Sequence, residues 1–246
     1  MKSPHAARQI GNTHGSISGV FPFRGKRLIP YESTLERDFL IKASWSDTIL
    51  DIQEQPLIIP YKTATGREST YTPDFLVYYR TTSLGATPKS LLVEVKPKMK
   101  LDKEFKTLRL KFKAGIGYAK KQGWRYTIYH ESRIRDATLN NIAFLQRFHN
   151  MSFNDSDTQY LLNALSEMGH CTMDSFLAIM YSRPMERAQA QALIWHLIAT
   201  KKLACPMHEP LNSHIPIWLN TDPGYLPTNN NDDDEFYPSE VNNDYE

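Results

Sequence analysis

The sequence predicts an α/β protein, with a mixed β-sheet flanked by helices and a small, mainly helical domain behind it. Three observations predict this. Short runs rich in β-branched and aromatic residues alternate with segments whose apolar residues recur at helical spacing. The pattern changes near "NMSFNDSD", residues 150–157, beyond which helical periodicity dominates. No Gly-rich phosphate loop follows any strand, which argues against a nucleotide-binding α/β fold.

The elements follow in order. Residues 1–30 are polar and Gly-rich and read as an N-terminal arm. "STLERDFLIKAS" reads as a helix with Leu35, Phe39 and Leu40 on one face. "TILDIQEQ" and "PLIIPYK" suit strands, and "TATGREST" a turn. "YTPDFLVYY" and "SLLVEVK" are the next strands. Residues 101–122 form a long amphipathic helix with Phe105, Leu108, Phe112, Ile116 and Ala119 as its apolar stripe, closed by Gly123. "WRYTIYH" is a further strand. "IRDATLNNIAFLQRFH" is a helix burying Ile134, Leu139, Ile142, Leu145 and Phe148. The first domain is therefore expected over residues 31–150.

Over residues 151–220, helices are expected at about 156–168, 172–181 and 184–201, with Pro184 in the first turn of the third. The extended stretches "KKLACPM" and "HIPIWLN" follow. Three helices and a hairpin make a winged-helix-like pattern. Residues 221–246 are rich in Asn and Asp, lack periodicity and read as a disordered acidic tail.

Charge divides along the same lines. The chain of 246 residues carries 29 Lys and Arg against 27 Asp and Glu. Eight of those acids (Asp222, Asp232, Asp233, Asp234, Glu235, Glu240, Asp244 and Glu246) lie in the tail, which has no Lys or Arg and so leaves 29 basic against 19 acidic residues before it. A basic body is the footprint of a polyanion binder. Eleven of its bases, Lys96, Lys98, Lys100, Lys103, Lys106, Arg109, Lys111, Lys113, Lys120, Lys121 and Arg125, crowd one segment. Lys98, Lys100 and Lys103 lie nearest a strand end and are the best placed to track a phosphate backbone. No run of about 18 apolar residues is present, so no membrane helix is expected. "MKSPHAARQIGN" lacks the apolar core of a signal peptide, and Cys171 and Cys205 are expected as reduced thiols, which points to a cytoplasmic protein. Cys205 and His208 have no second pair at zinc spacing, so a structural zinc is not expected.

The chemistry lies at the strand ends. Residues i and i+2 of a strand face one side, so Glu94 and Lys96 project together while Val95 turns into the opposite layer. If the strand led by Asp74 is adjacent, Asp74 reaches the same point. Carboxylates that converge repel one another unless a cation sits between them, and such hard oxygen donors suit Mg²⁺ or Mn²⁺. A lysine beside them can orient a water or stabilise a phosphate oxygen. These are the parts of metal-assisted phosphodiester hydrolysis. The alternative is an ordinary surface ion pair between Glu94 and Lys96. The unbroken apolar setting of Leu91, Leu92, Val93 and Val95 speaks for a buried strand instead.

On these residues the chain resembles the PD-(D/E)XK nuclease superfamily. It resembles more closely the TnsA family, the endonuclease subunits of heteromeric, Tn7-like cut-and-paste transposases. "STLERDFL", "YTPDFLVYY", "LLVEVKPK" and "GWRYTIYHESRIRDATLNNIAFLQRF" carry the likeness, with the small helical domain behind them. The resemblance implies a restriction-endonuclease-like sheet. It implies that Asp74, Glu94, the Val95 carbonyl and Glu36 bind metal, two Mg²⁺ or Mn²⁺ ions in all, and that Lys96 is the catalytic lysine. Some relatives have Gln where this chain has Glu94. For Glu36 a second reading stands open, because Ser33-Thr34-Leu35-Glu36 is a capping box, in which the carboxylate merely closes the helix end. Asp38 is the other acid of that helix, expected nearer its solvent side.

The resemblance further implies a DNA endonuclease that cuts near the 5′ ends of a transposon, associated with the nucleoid during transposition. A DDE-type partner, TnsB, would process the 3′ ends, and the C-terminal domain would contact the AAA+ regulator TnsC. Two other readings remain: a non-catalytic DNA-binding adaptor, and a stand-alone restriction-type nuclease.

Overall fold

The structure, a computed structural model, describes residues 17–82 and 85–220. The acidic tail lies outside them. The chain forms two compact units that part between Ile134 and Arg135.

The first unit opens with a hairpin, β1 (Gly19–Phe23) and β2 (Arg27–Tyr31), where the sequence reads as an arm. Its turn places Arg24 and Gly25 at positive φ, and Phe23 and Ile29 drop into the core. The two short apolar runs are masked in the sequence by the glycines and prolines around them. Helix α1 (Thr34–Trp45) follows. Strand β3 (Ile49–Glu54) comes next, then a separate hairpin of β4 (Ile59–Lys62) and β5 (Glu68–Tyr71). The second half of the expected turn thus becomes a strand, and "PLIIPYK" pairs with it rather than with the main sheet. Strands β6 (Phe75–Tyr79) and β7 (Leu91–Val95), helix α2 (Lys98–Gln122), strand β8 (Arg125–Tyr129) and the single-turn helix α3 (Glu131–Ile134) complete the unit.

The main sheet runs β3-β6-β7-β8, antiparallel except for the β7–β8 pair, whose strands α2 connects. The strand pleat sorts its side chains into two cores. Phe75, Val77, Leu91, Val93 and Val95 pack with Leu35, Phe39 and Leu40 of α1 and with Phe23 and Ile29 of the first hairpin. Leu76 and Leu92 pack with Phe112 and Ala119 of α2 and with Ile59 and Tyr71 of the second hairpin. Gly115 belongs to this second contact: a Cβ there would stand 2.7 Å from Tyr126 and 2.9 Å from Tyr71. Ile116, expected in the stripe, is exposed instead, because the stripe runs through Phe112, Gly115 and Ala119.

The second unit begins with α4 (Ala137–His149). The helix expected from residue 134 to 149 is broken at Asp136, whose side chain accepts from the Leu139 N–H and so caps a new helix. Phe144 of α4 meets Trp195 of helix α7 (Pro184–Ala199) edge-on at 5.2 Å. Helix α4 therefore packs with the second unit, and the two units part well before residue 150. The remaining elements are α5 (Asp155–Met168), β9 (Cys171–Thr172), α6 (Met173–Met180), α7 (Pro184–Ala199), β10 (Leu203–Ala204) and β11 (Pro216–Leu219). The strands form a small antiparallel sheet in the order β10-β11-β9. Pro184 opens α7, as its position in the sequence predicts.

Candidate active site

Asp74 stands where β6 begins, and its backbone joins three strands. Its N–H donates to the Val93 carbonyl at 3.1 Å, and its own carbonyl accepts from Gln55 N–H at 2.8 Å, just beyond β3. Its carboxylate accepts from Val95 N–H at 2.6 Å. The β6–β7 pairing thus makes the strand of Asp74 the neighbour of the strand of Glu94, the condition on which the sequence argument depended.

Glu94 shares the α2 side of the sheet with Leu92, and only 1% of its side chain is exposed. One of its oxygens meets two ammonium groups, Lys96 Nζ at 2.9 Å and Lys111 Nζ at 2.8 Å. The other accepts from the Tyr71 hydroxyl at 2.8 Å, and Tyr71 lies 3.0 Å from the Tyr126 hydroxyl. Lys111 also sits over the rings of Tyr71 and Phe112, at 4.9 and 5.3 Å from their centroids.

The electrostatics follow from this packing. Burial, then the nearby charges of Glu94 and Glu36, push the Asp74 carboxyl well above the usual carboxylate range; Lys96 and the Val95 N–H oppose them. Burial alone would raise Glu94 too, but Lys96 and Lys111 together outweigh it and hold Glu94 below its ordinary value. Burial would lower Lys96, yet Glu94, Asp74 and Glu36 hold it above. Tyr71 and Tyr126 are pushed well up by burial and by Glu94, so both stay neutral hydroxyls able to donate.

Glu36 forms the capping box. Its N–H donates to Ser33 Oγ at 3.2 Å, and its carboxylate accepts from the Ser33 hydroxyl at 2.8 Å and from Glu32 N–H at 2.7 Å. The same carboxylate lines a pocket with Pro30, Glu32, Glu54, Gln55, Asp74 and Phe75. Burial raises its pKa, and Lys96 is near enough to oppose that. Capping and a place beside Asp74 are therefore compatible. Asp38, expected toward solvent, is buried instead and bonds Arg37 at 2.8 Å.

Not every candidate gathers at this point. Lys98, Lys100 and Lys103 occupy the exposed first turns of α2, and Lys98 pairs with Asp102 at 3.1 Å. Val95 enters through its N–H. Conversely, the structure adds residues that the sequence reading did not place in the site: Tyr71, Tyr126, Gln55 and Lys111. Lys111 is one of the eleven bases crowded between Lys96 and Arg125. Its signal was present, since it lies three residues after Leu108 and four before Gly115, on the buried stripe of α2. Gln55 combines positive φ with a buried side-chain oxygen that has no hydrogen-bond partner.

The donor chemistry fits a hard divalent cation. Three carboxylates raise one another's cost around Asp74, a penalty that a cation among them would relieve. As placed, no three His, Cys, Asp or Glu side chains among the described residues stand ready to hold an ion, and the Glu94 oxygens face Lys96, Lys111 and Tyr71.

Two family models match the chain. One, described as TnsA-like endonuclease N terminal, matches residues 46–131, and the other, described as TnsA endonuclease C terminal, matches residues 133–207. No curated protein matches it. The two matches fall in chain order and meet within a few residues of the division between the compact units, and by them the chain belongs to the TnsA endonuclease family.

Proposed function

We propose that the chain is the divalent-metal DNA endonuclease subunit of a Tn7-like heteromeric transposase, cutting at the 5′ ends of the transposon. The observation that carries this reading is the convergence of Asp74, Glu94 and Lys96 at the ends of adjacent strands. Asp74 and Glu94, with the Val95 carbonyl and Glu36, are the groups that would hold one or two Mg²⁺ or Mn²⁺ ions. When bound, such an ion supplies Lewis-acid polarisation of a phosphate oxygen and a more acidic water. Glu94 would serve such an ion as a carboxylate whose charge Lys96 and Lys111 also share. Lys96, kept charged by three carboxylates, orients the attacking water or meets the charge that builds on the phosphate. The Val95 N–H fixes the Asp74 carboxylate. Lys98, Lys100 and Lys103 lead the exposed face of α2 outward and suit the flanking phosphates. A non-catalytic adaptor would not require a buried Glu94 held between two lysines, an arrangement costly to retain without a use.

In the second unit the order α5-β9-α6-α7-β10-β11 supports the winged-helix-like reading. Helix α7, the third of that pattern, is a poor base reader. Arg183 pairs with Glu186, Arg187 donates to the Tyr181 carbonyl at 2.7 Å, and the exposed side chains nearby include Met185 and Ile179. That surface suits a protein, and we assign it to the TnsC-type regulator, with a TnsB-type transposase as the partner on DNA. The acidic tail, with Phe236, Tyr237 and Tyr245 among its charges, suits docking to one of these partners. No described helix is long and apolar enough to cross a membrane.

The deciding experiment is cleavage of a transposon-end duplex by the purified chain, with and without the partner proteins, in Mg²⁺. Cutting at the 5′ ends that requires the partners is expected. Strong site-specific cutting by the chain alone would favour the restriction-type reading. No cutting in the full assembly would favour the adaptor.

A further inference from the structure

We propose that Lys111 is a positioning residue of the active site. It neutralises and orients Glu94 from α2, leaving Lys96 to serve the scissile phosphate. The proposal rests on the nuclease reading and adds to it a residue that charge patterning assigns to DNA. Lys111 lies amid a run of bases, yet its side chain is 18% exposed, against 57% for Lys98 in the same helix. Its ammonium ends on a Glu94 oxygen at 2.8 Å and over the ring of Tyr71, inside the core on the α2 side. Lys96 is about as deeply buried, at 23%, but it lies just past the end of β7 and faces Asp74 and Glu36, whereas Lys111 faces Tyr71 and Phe112.

The distribution of charge says what Lys111 is for. Glu94 is almost fully buried, so its negative charge must be met within the protein. Lys96 and Lys111 meet it on the same oxygen. Lys96 also faces Asp74 and Glu36. Were Lys111 absent, Lys96, already 2.9 Å from Glu94, would be its sole close cation and would be held there more tightly, away from the substrate side. The other oxygen of Glu94 is held by Tyr71, whose hydroxyl meets Tyr126 and whose ring lies against Gly115. The plane of the carboxylate is thus set by Tyr71 and Lys111, while Lys96, from the same strand, is the one donor that can leave without releasing it.

The test compares the full chain with Lys111→Met, which keeps the packed stem, with Lys111→Arg, with Glu94→Gln, and with the double variant Glu94→Gln/Lys111→Met. Three quantities are read: single-turnover cleavage at saturating DNA within the partner assembly, Mn²⁺ affinity by calorimetry on the chain alone, and the salt slope of duplex DNA binding. Lys111→Met should slow cleavage on the order of 10–100-fold, as loss of a group that orients a metal ligand does. Its salt slope should be unchanged and its Mn²⁺ affinity should rise several-fold, because Glu94 keeps its charge and loses a competing cation. Lys111→Arg should recover part of the rate. In the Glu94→Gln background the Met substitution should add almost nothing to either rate or Mn²⁺ affinity. A salt slope reduced by about one would make Lys111 a phosphate contact and overturn the proposal. Equal losses in both backgrounds, or weaker Mn²⁺ binding by Lys111→Met, would also overturn it. If Lys111→Met fails to fold, the double variant, with neither charge buried, decides by the same Mn²⁺ measurement against Glu94→Gln. A wild-type chain inactive in the full assembly would sink the nuclease reading, and the Mn²⁺ comparison would still judge the pairing of Lys111 with Glu94.

Discussion

Asp74 shows how a functional residue strains its surroundings. Its folded pKa is raised above the ordinary value near 3.8, by burial first and then by Glu94 and Glu36. The folded state therefore keeps the proton over a range in which the unfolded chain has lost it. Stability from this group is fully present below the ordinary value and is lost as pH rises through the raised one. Asp74→Asn keeps an acceptor for the Val95 N–H but removes the titration. It should abolish cleavage while leaving the thermal midpoint at pH 7 unchanged or a few degrees higher. The fall in wild-type stability from about pH 4 toward neutrality should flatten in the variant. Calorimetric scans across that range, in chelator, check it; a midpoint lowered at pH 7 would show that the carboxylate stabilises the fold.

Helices α1 and α2 each serve both the fold and the site. In α1 the two services separate by substitution. Ser33→Ala removes the N-cap acceptor and should cost about 1 kcal/mol, with cleavage retained. Glu36→Gln leaves Ser33 as the acceptor for the Glu36 N–H and should lose cleavage with little change in stability. Equal cleavage by Glu36→Gln and wild type would reduce Glu36 to a cap. In α2, Gly115 and Gly117 make an internal control. A Cβ at 115 would intrude on Tyr126 and Tyr71, whereas one at 117 meets nothing within 4 Å. Gly115→Val should destabilise by about 1–3 kcal/mol through overpacking and disturb Glu94 through Tyr71. Gly117→Ala should stabilise by roughly 0.5–1 kcal/mol from helix propensity alone. Thermal melts of the two variants compare these directly, at ~2–4 °C in midpoint per kcal/mol for a chain of this size.

Over the whole molecule, the structure changes where the chain should be cut. Phe144 and Phe148 of α4 lie on Trp195 of α7 at 5.2 and 6.5 Å, and the Phe148 carbonyl lies 2.9 Å from His196 Nδ1. Asn141 ties down the segment after β10, donating to the carbonyls of Met207 and Glu209 and accepting from Leu211 N–H. A fragment of residues 135–220 should therefore unfold cooperatively and bind the regulator. A fragment starting at residue 155 lacks α4, exposes Trp195 and should be poorly folded. Matching melts for the two fragments would show that α4 belongs functionally with the first unit.

What the sequence determined by itself was local in origin. The pleat of a five-residue strand placed Glu94 and Lys96 on one side and Val95 on the other, and the structure sorts them so, with Val95 in the α1 core and Glu94 facing α2. Helical spacing gave α1, α2 and α7, and Ser33-x-x-Glu36 gave the cap, because these features depend on neighbours within a few residues. Tertiary structure alone decided what depends on residues distant in the chain. It put the strand of Asp74 beside that of Glu94, turned Lys111 inward while Arg109 and Lys113 faced water, and brought Tyr71 and Tyr126, 55 positions apart, to hydrogen-bond distance. It also made a core hairpin of residues 19–31 and gave α4 to the second unit. A lysine's charge is written in the sequence; whether it meets a phosphate or a buried carboxylate is set by which side of a helix the sheet occupies.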